Sequence, residues 1–166
     1  MRLPNRKPGK YTFATFDPNI TEEKFEALKN KLDRLKNYSR PQAAKLVMEH
    51  AANGDFSENA EYQISKGRLR GINKTIEELE YQINHAQIIQ SPKNIDTVQI
   101  GHTVTILANG KEQTFQILGP SETKPLAGII SYKSPLGAAL LGKKVNDVAE
   151  LIIAGKKTNF KIINIK

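Results

Sequence analysis

A chain of 166 residues with a hydrophobic fraction of 39% and a formal net charge of +8 has room for one domain or two small ones. It contains no cysteine, which excludes disulfides, thiolate zinc sites and cysteine nucleophiles and suits a reducing, cytoplasmic setting, and no run approaches the roughly 18 apolar residues of a membrane span. Residues 1–20 carry four Lys/Arg against one acid, 21–92 eleven of each and 93–166 ten against five, so the excess lies at the two ends and favours an acidic partner such as nucleic acid, unless it serves solubility alone.

Residues 1–20 open with MRLPNRKPGKYTF, basic but without the apolar core of a secretory signal, and read as a loose tail. From Thr21 the pattern is helical, with Phe25, Leu28, Leu32 and Leu35 three and four apart. Ser39-Arg40-Pro41 predicts a break and a restart, because proline is tolerated in a first helical turn and not in mid-helix. Ala44, Val47 and Ala51 carry the stripe to Asn53-Gly54, a helix stop. A second helix follows, with Tyr62, Leu69, Ile72, Ile76, Leu79, Ile83 and Ala86 in a heptad-like seam and Ser65 at its one weak position. So narrow a seam needs one partner helix, which makes residues 39–90 an antiparallel hairpin. Its second arm of roughly 30 residues would reach about 45 Å.

After Ser91-Pro92 the period changes to two. Val104 and Ile106 lead through Asn109-Gly110, a strong hairpin-turn signal, to Phe115, Ile117 and Leu118. Residues 128–132 read as a strand, Ser134-Pro135 as the cap and first residue of a short helix closed by Gly142, and residues 149–153 and 159–163 as a last hairpin. The expected fold is therefore α+β: an N-terminal antiparallel coiled-coil hairpin over 21–92, then a small antiparallel sheet domain with one short helix over 93–166.

Most catalytic constellations are missing. His50, His85 and His102 are scattered without metal-ligand spacing, and neither a phosphate-binding glycine loop nor a framed serine nucleophile appears. The chemistry-bearing stretch is NGDFSENAEYQ at 53–63, which gathers Asp55, Glu58 and Glu61. One reading is structural: Asp55 caps a helix, Glu58 reaches back as in a capping box, and the helix dipole favours both acids. The other is half of a metal site. Two carboxylates cannot satisfy the six oxygens of Mg²⁺, but they can add oxygens to an ion already held by another macromolecule. Lys66, Arg68, Arg70 and Lys74 follow directly and suit nucleic-acid phosphates, or else form a solvated helix face.

GDFSENAEYQ, followed by Lys66 and Arg68-Leu69-Arg70, closely resembles the tip of the bacterial transcript cleavage factors of the GreA/GreB family, nearer to the GreB branch. The resemblance extends to Ser39-Arg40-Pro41, to NHAQII at 84–89, to Ile130-Ser131 and to SPLGAALLGK at 134–143, and so covers roughly residues 20–165. It implies a C-terminal domain like that of FK506-binding proteins, docked at the rim of the RNA polymerase secondary channel through the region of Ser134, Pro135 and Lys143. It implies that the hairpin enters the channel and that Asp55 and Glu58 help hold a catalytic Mg²⁺ shared with the polymerase, with Ser57 and Asn59 supporting the tip. On this resemblance the polymerase would then cut backtracked nascent RNA, and the factor is expected to be a stimulator rather than an enzyme, a monomer with no stably bound cofactor. Lys24 departs from the family, standing where a glycine is common, and the 20-residue start is longer than usual. Two other readings compete with it. One is a secondary-channel regulator that does not cleave, against which the intact acid pair counts. The other is a prolyl isomerase or chaperone based on the second half, which would need an aromatic-lined pocket where that half offers only Phe115, Tyr132 and Phe160 and no tryptophan.

Overall fold

A computed structural model describes residues 16–52, 60–90, 92, 95–153 and 156–166. Thr21, in extended backbone, caps the first helix by accepting the Lys24 N–H on Oγ1 at 3.2 Å. Helix α1 (Glu22–Arg34) places Glu22 and Glu23 in its first turn and Lys31 and Arg34 in its last, the order its dipole favours.

No break occurs at Ser39-Arg40-Pro41. Helix α1 passes through a π-helical turn, Leu35–Ser39, directly into α2 (Arg40–Ala52). The physical reason lies in Pro41, which lacks an N–H and drives its ring toward the carbonyl four residues back. The wide turn just ahead of it, where the Arg40 N–H bonds the Leu35 carbonyl, absorbs that conflict with one extra residue. That residue also re-phases the apolar stripe. Phe25, Leu28, Leu32, Leu35 and Ser39 are half-buried, and the next inward position is Ala43, 3% exposed, instead of the exposed Gln42.

Helix α3 (Ala60–His85) has 26 residues, about 39 Å at the usual rise. Ile76 and Leu79 are buried on its inner face. So is Ser65 at the weak seam position, where its hydroxyl donates to the Tyr62 carbonyl at 3.0 Å and needs no partner from the opposite arm. Lys36 bonds Glu80 across the arms at 2.6 Å. At the base, β1 (Asn19–Ile20) pairs in parallel with β2 (Gln87–Ile88). These pairings fix the two arms as antiparallel, closing toward Ala52 and Ala60 at the end away from β1 and β2. Residues 16–20 are accordingly not part of a loose tail: Ile20 is fully buried and Asp17 only 5% exposed.

The second unit is a five-stranded sheet in the order β5-β4-β3-β7-β6. Strands β3 (Thr103–Ala108) and β4 (Lys111–Leu118) are joined at Asn109 and Gly110, both at positive φ (52° and 74°), the geometry that an Asn-Gly turn supplies. Strand β5 (Ile129–Ser131) reaches β4 after two 3₁₀ turns and lies parallel to it, whereas the other pairs, including β6 (Val148–Ile153) with β7 (Lys156–Ile165), are antiparallel. Short strands read one at a time cannot reveal that parallel edge. Helix α4 (Pro135–Leu140) begins as expected, with Ser134 accepting the Gly137 N–H at 3.1 Å and proline at its first position. One face of the sheet buries Val104, Ile106, Ile117, Phe160 and Ile162, with Leu140 of α4 packed on them. The protein is thus α+β, a helical hairpin followed by a small sheet domain. Among the described residues no helix is long and apolar enough to cross a membrane.

Candidate functional site

The hairpin carries its connection, residues 53–59, between Ala52 and Ala60. Asp55, Ser57, Glu58 and Asn59 lie in that connection, outside the described residues. Among the described residues no three His, Asp or Glu side chains gather as metal ligands. Close behind the connection, Met48 on α2 and Ile64 on α3 are 74% and 71% exposed, two apolar residues that the seam does not use.

The four basic residues of α3 do not form one face. Lys66, Arg70 and Lys74 are four apart and drift by only about 40° per step, so they make a stripe along one side of the helix. Arg68 stands about 200° from Lys66, on the opposite side. Lys66 lies over the Tyr62 ring, its Nζ 5.4 Å from the centroid, and Lys74 pairs loosely with Glu78 at 3.8 Å. Both contacts are weak, Lys66 being half-buried and the Lys74–Glu78 pair exposed, so neither holds its cation strongly against a phosphate.

Ser134 and Pro135 lie at the start of α4 and Lys143 just past its end. Ser134 donates its hydroxyl to the Ser131 carbonyl at 2.6 Å while it caps the helix, so its side chain is committed to local structure. Gly137 lets α4 sit against the end of β5, where a Cβ would fall 2.1 Å from the Ser131 carbonyl oxygen. Pro135 is exposed and Lys143 half-buried. Phe160 is in the core with Phe115 packed against it, and Tyr132 donates its hydroxyl to Asp17. The aromatic residues on which an isomerase reading would rest are therefore occupied by structure.

The structure also brings together at this end of the sheet domain residues whose pairing no sequence pattern indicated, among them Asp17, Glu122 and Lys133, which no motif singles out at all. Asp17 meets Tyr132 and Lys133, and Thr21 meets Glu122. These partners are more than 100 positions apart in the chain.

A long antiparallel hairpin with an acid-bearing connection, set at its base against a small mixed sheet, defines the class: a two-part α+β protein that presents a helical projection. Residues 19–88 match the family described as "Transcription elongation factor, N-terminal", and residues 91–166 match "Transcription elongation factor, GreA/GreB, C-term". The chain belongs to the GreA/GreB family of transcription elongation factors. It is 37% identical over 150 residues to transcription elongation factor GreA of Staphylococcus saprophyticus, covering 89% of this chain and 95% of that one. To GreA of Staphylococcus aureus strain JH9 it is 35% identical with the same coverage. A solved structure, GreA factor homolog 1 (Gfh1) of Thermus thermophilus, is 25% identical with a TM-score of 0.41, covering 90% of this chain and 99% of that one. The relatives named here as GreA do not support the nearness to GreB expected from the tip.

Proposed function

We propose that the protein is a transcript cleavage factor. It enters the RNA polymerase secondary channel and stimulates cleavage of backtracked nascent RNA by the polymerase's own active site. The observation that carries this reading is the retention of both Asp55 and Glu58 in the connection of a family-type hairpin. Two carboxylates fit the oxygen preference of Mg²⁺ but leave most of its six positions open, so they suit an ion that a partner already holds. Such an ion, when bound, would lower the pKa of a water it carries, orient that water for attack and stabilise the charge that develops on the phosphoryl oxygens. Asp55 and Glu58 would hold and orient it from the factor's side, with Ser57 and Asn59 fixing the shape of the connection. The stripe of Lys66, Arg70 and Lys74 would take RNA phosphates along the hairpin, with Arg68 contacting a different wall. Ser134, Pro135 and Lys143 would mark the docking end, as a monomer in the cytoplasm.

The test uses stalled, backtracked elongation complexes in Mg²⁺, with the RNA 3′ end followed in time. Wild type is expected to shorten the RNA. Asp55→Asn and Glu58→Gln each lower the rate at saturating factor by at least about 10–100-fold, the range seen for weaker perturbations of metal sites. The factor concentration for half-maximal effect stays near its wild-type value. A double variant that cleaves like wild type overturns the reading. Wild type that binds without cleaving identifies a non-cleaving secondary-channel regulator instead.

A further inference from the structure

Where the hairpin meets the sheet domain, residues 16–21 are held from several sides. Asp17 is 5% exposed, and its carboxylate accepts hydrogen bonds from the Tyr132 hydroxyl and the Lys133 ammonium at 2.5 Å each and from the Asn19 N–H at 3.0 Å. Two positions on, the Asn19 carbonyl lies so close to Gly119 that a Cβ there would fall 2.4 Å from the oxygen. Gly119 has φ −70° and ψ 159°, which any residue adopts, so its glycine is required by the neighbour and not by its own backbone. The Glu122 carboxylate then accepts from the Thr21 N–H at 2.9 Å and from its hydroxyl at 2.5 Å.

That last contact has a specific meaning. A capping box has Ser or Thr at the N-cap and Glu three residues on, whose carboxylate returns to the cap's own N–H. Here the residue three on is Lys24, which cannot accept, and Glu122 of the sheet domain supplies the missing carboxylate from outside. The start of α1 is therefore completed only when the two units are in contact. Tyr132 and Lys133, the partners of Asp17, immediately precede Ser134 and Pro135.

We propose that residues 16–21 form an interdomain clamp that sets the direction of the hairpin relative to the Ser134–Pro135 end, with Asp17, Gly119 and Glu122 acting as positioning residues for cleavage. The cleavage part rests on the function proposed above; the clamp itself does not. A factor anchored at one unit and acting at the far end of the other converts a small angular error at the base into a displacement of several ångströms at the tip. The clamp holds that angle through a buried charge, a steric fit and a shared helix cap, three contacts of different kinds on one short segment.

The experiment exploits the absence of cysteine. Spin labels at Met48→Cys and Ile152→Cys, both exposed, report the distance between the units in the full chain. Gly119→Ala and Glu122→Ala are expected to broaden that distance distribution. They are also expected to lower the saturating cleavage rate by about tenfold or more, in line with the cost of small misplacements, while the half-saturating concentration moves less. Adding Lys24→Glu to Glu122→Ala restores a capping box within α1. It should recover the melting temperature but neither the narrow distance nor the cleavage rate. A narrow distribution unchanged in both single variants, or cleavage fully recovered by Lys24→Glu, overturns the proposal. If wild type does not cleave at all, the functional reading fails, and the distance measurement alone decides the clamp.

Discussion

Asp17 keeps its charge where water is nearly excluded. Burial alone would raise its pKa, but the hydrogen bonds from Lys133, Tyr132 and Asn19 outweigh it and hold the carboxyl below the usual carboxylate range. The Lys133 ammonium is correspondingly raised by the bond to Asp17. Linkage gives the sign: a depressed carboxyl stabilises the folded contact above the ordinary value near pH ~3.9, and that contribution disappears as pH falls through the lower folded value. Acid melts should show this limb in wild type, and Asp17→Asn should flatten it while lowering stability at neutral pH. Equal acid limbs in the two proteins would contradict the assignment. At this scale the sequence was legible where the cause is local. Ser134 and Pro135 start a helix, and Asn109-Gly110 makes a turn, because each acts on backbone within three residues. Asp17, Gly119 and Glu122 were not legible, since their roles depend on partners brought together by the fold.

Between residues and molecule, the hairpin shows which parts of a pattern are robust. The seam on α3 was readable because its buried or half-buried positions follow one period for the length of a 26-residue helix. The first arm misled at Pro41. A proline in a helical pattern signals a break when the helix is assumed to be purely α, and the π-helical turn offers another solution that hydrophobic spacing alone does not disclose. Packing at the seam can be tested in both directions. Ile76→Ala should destabilise the hairpin by about 2–5 kcal/mol, through lost burial and a residual cavity. Ser65→Ala should stabilise it by about 0.5 kcal/mol, since alanine has the better helix propensity and the Tyr62 carbonyl lies within the helix already. Denaturant unfolding followed by helical circular dichroism separates the two. A loss at Ser65→Ala comparable to that at Ile76→Ala would mean that the hydroxyl has a partner across the arms.

For the molecule as a whole, net charge, helical projection and family membership converge on transcription, and the proposed mode of action rests on the acid pair. The excess of base in residues 93–166, ten against five, leaves the hairpin stretch neutral, so the acids of the connection sit in a segment whose own cations are arranged along the helix behind them. Composition could indicate a nucleic-acid setting but not a family; the resemblance to the GreA/GreB factors lay in the specific order of residues in the tip and at the start of α4. The angle between the two units was beyond any reading of the sequence, because a short pre-helical segment fixes it through contacts over 100 positions away. The central claim is that Asp55 and Glu58 complete a metal site in another macromolecule. Its most direct test is the Mg²⁺ dependence of cleavage in backtracked complexes at saturating factor. Wild type should lower the Mg²⁺ concentration for half-maximal cleavage by at least about tenfold relative to polymerase alone, and Glu58→Gln should return it toward the factor-free value. An identical Mg²⁺ dependence with wild type, with Glu58→Gln and without factor would contradict the account.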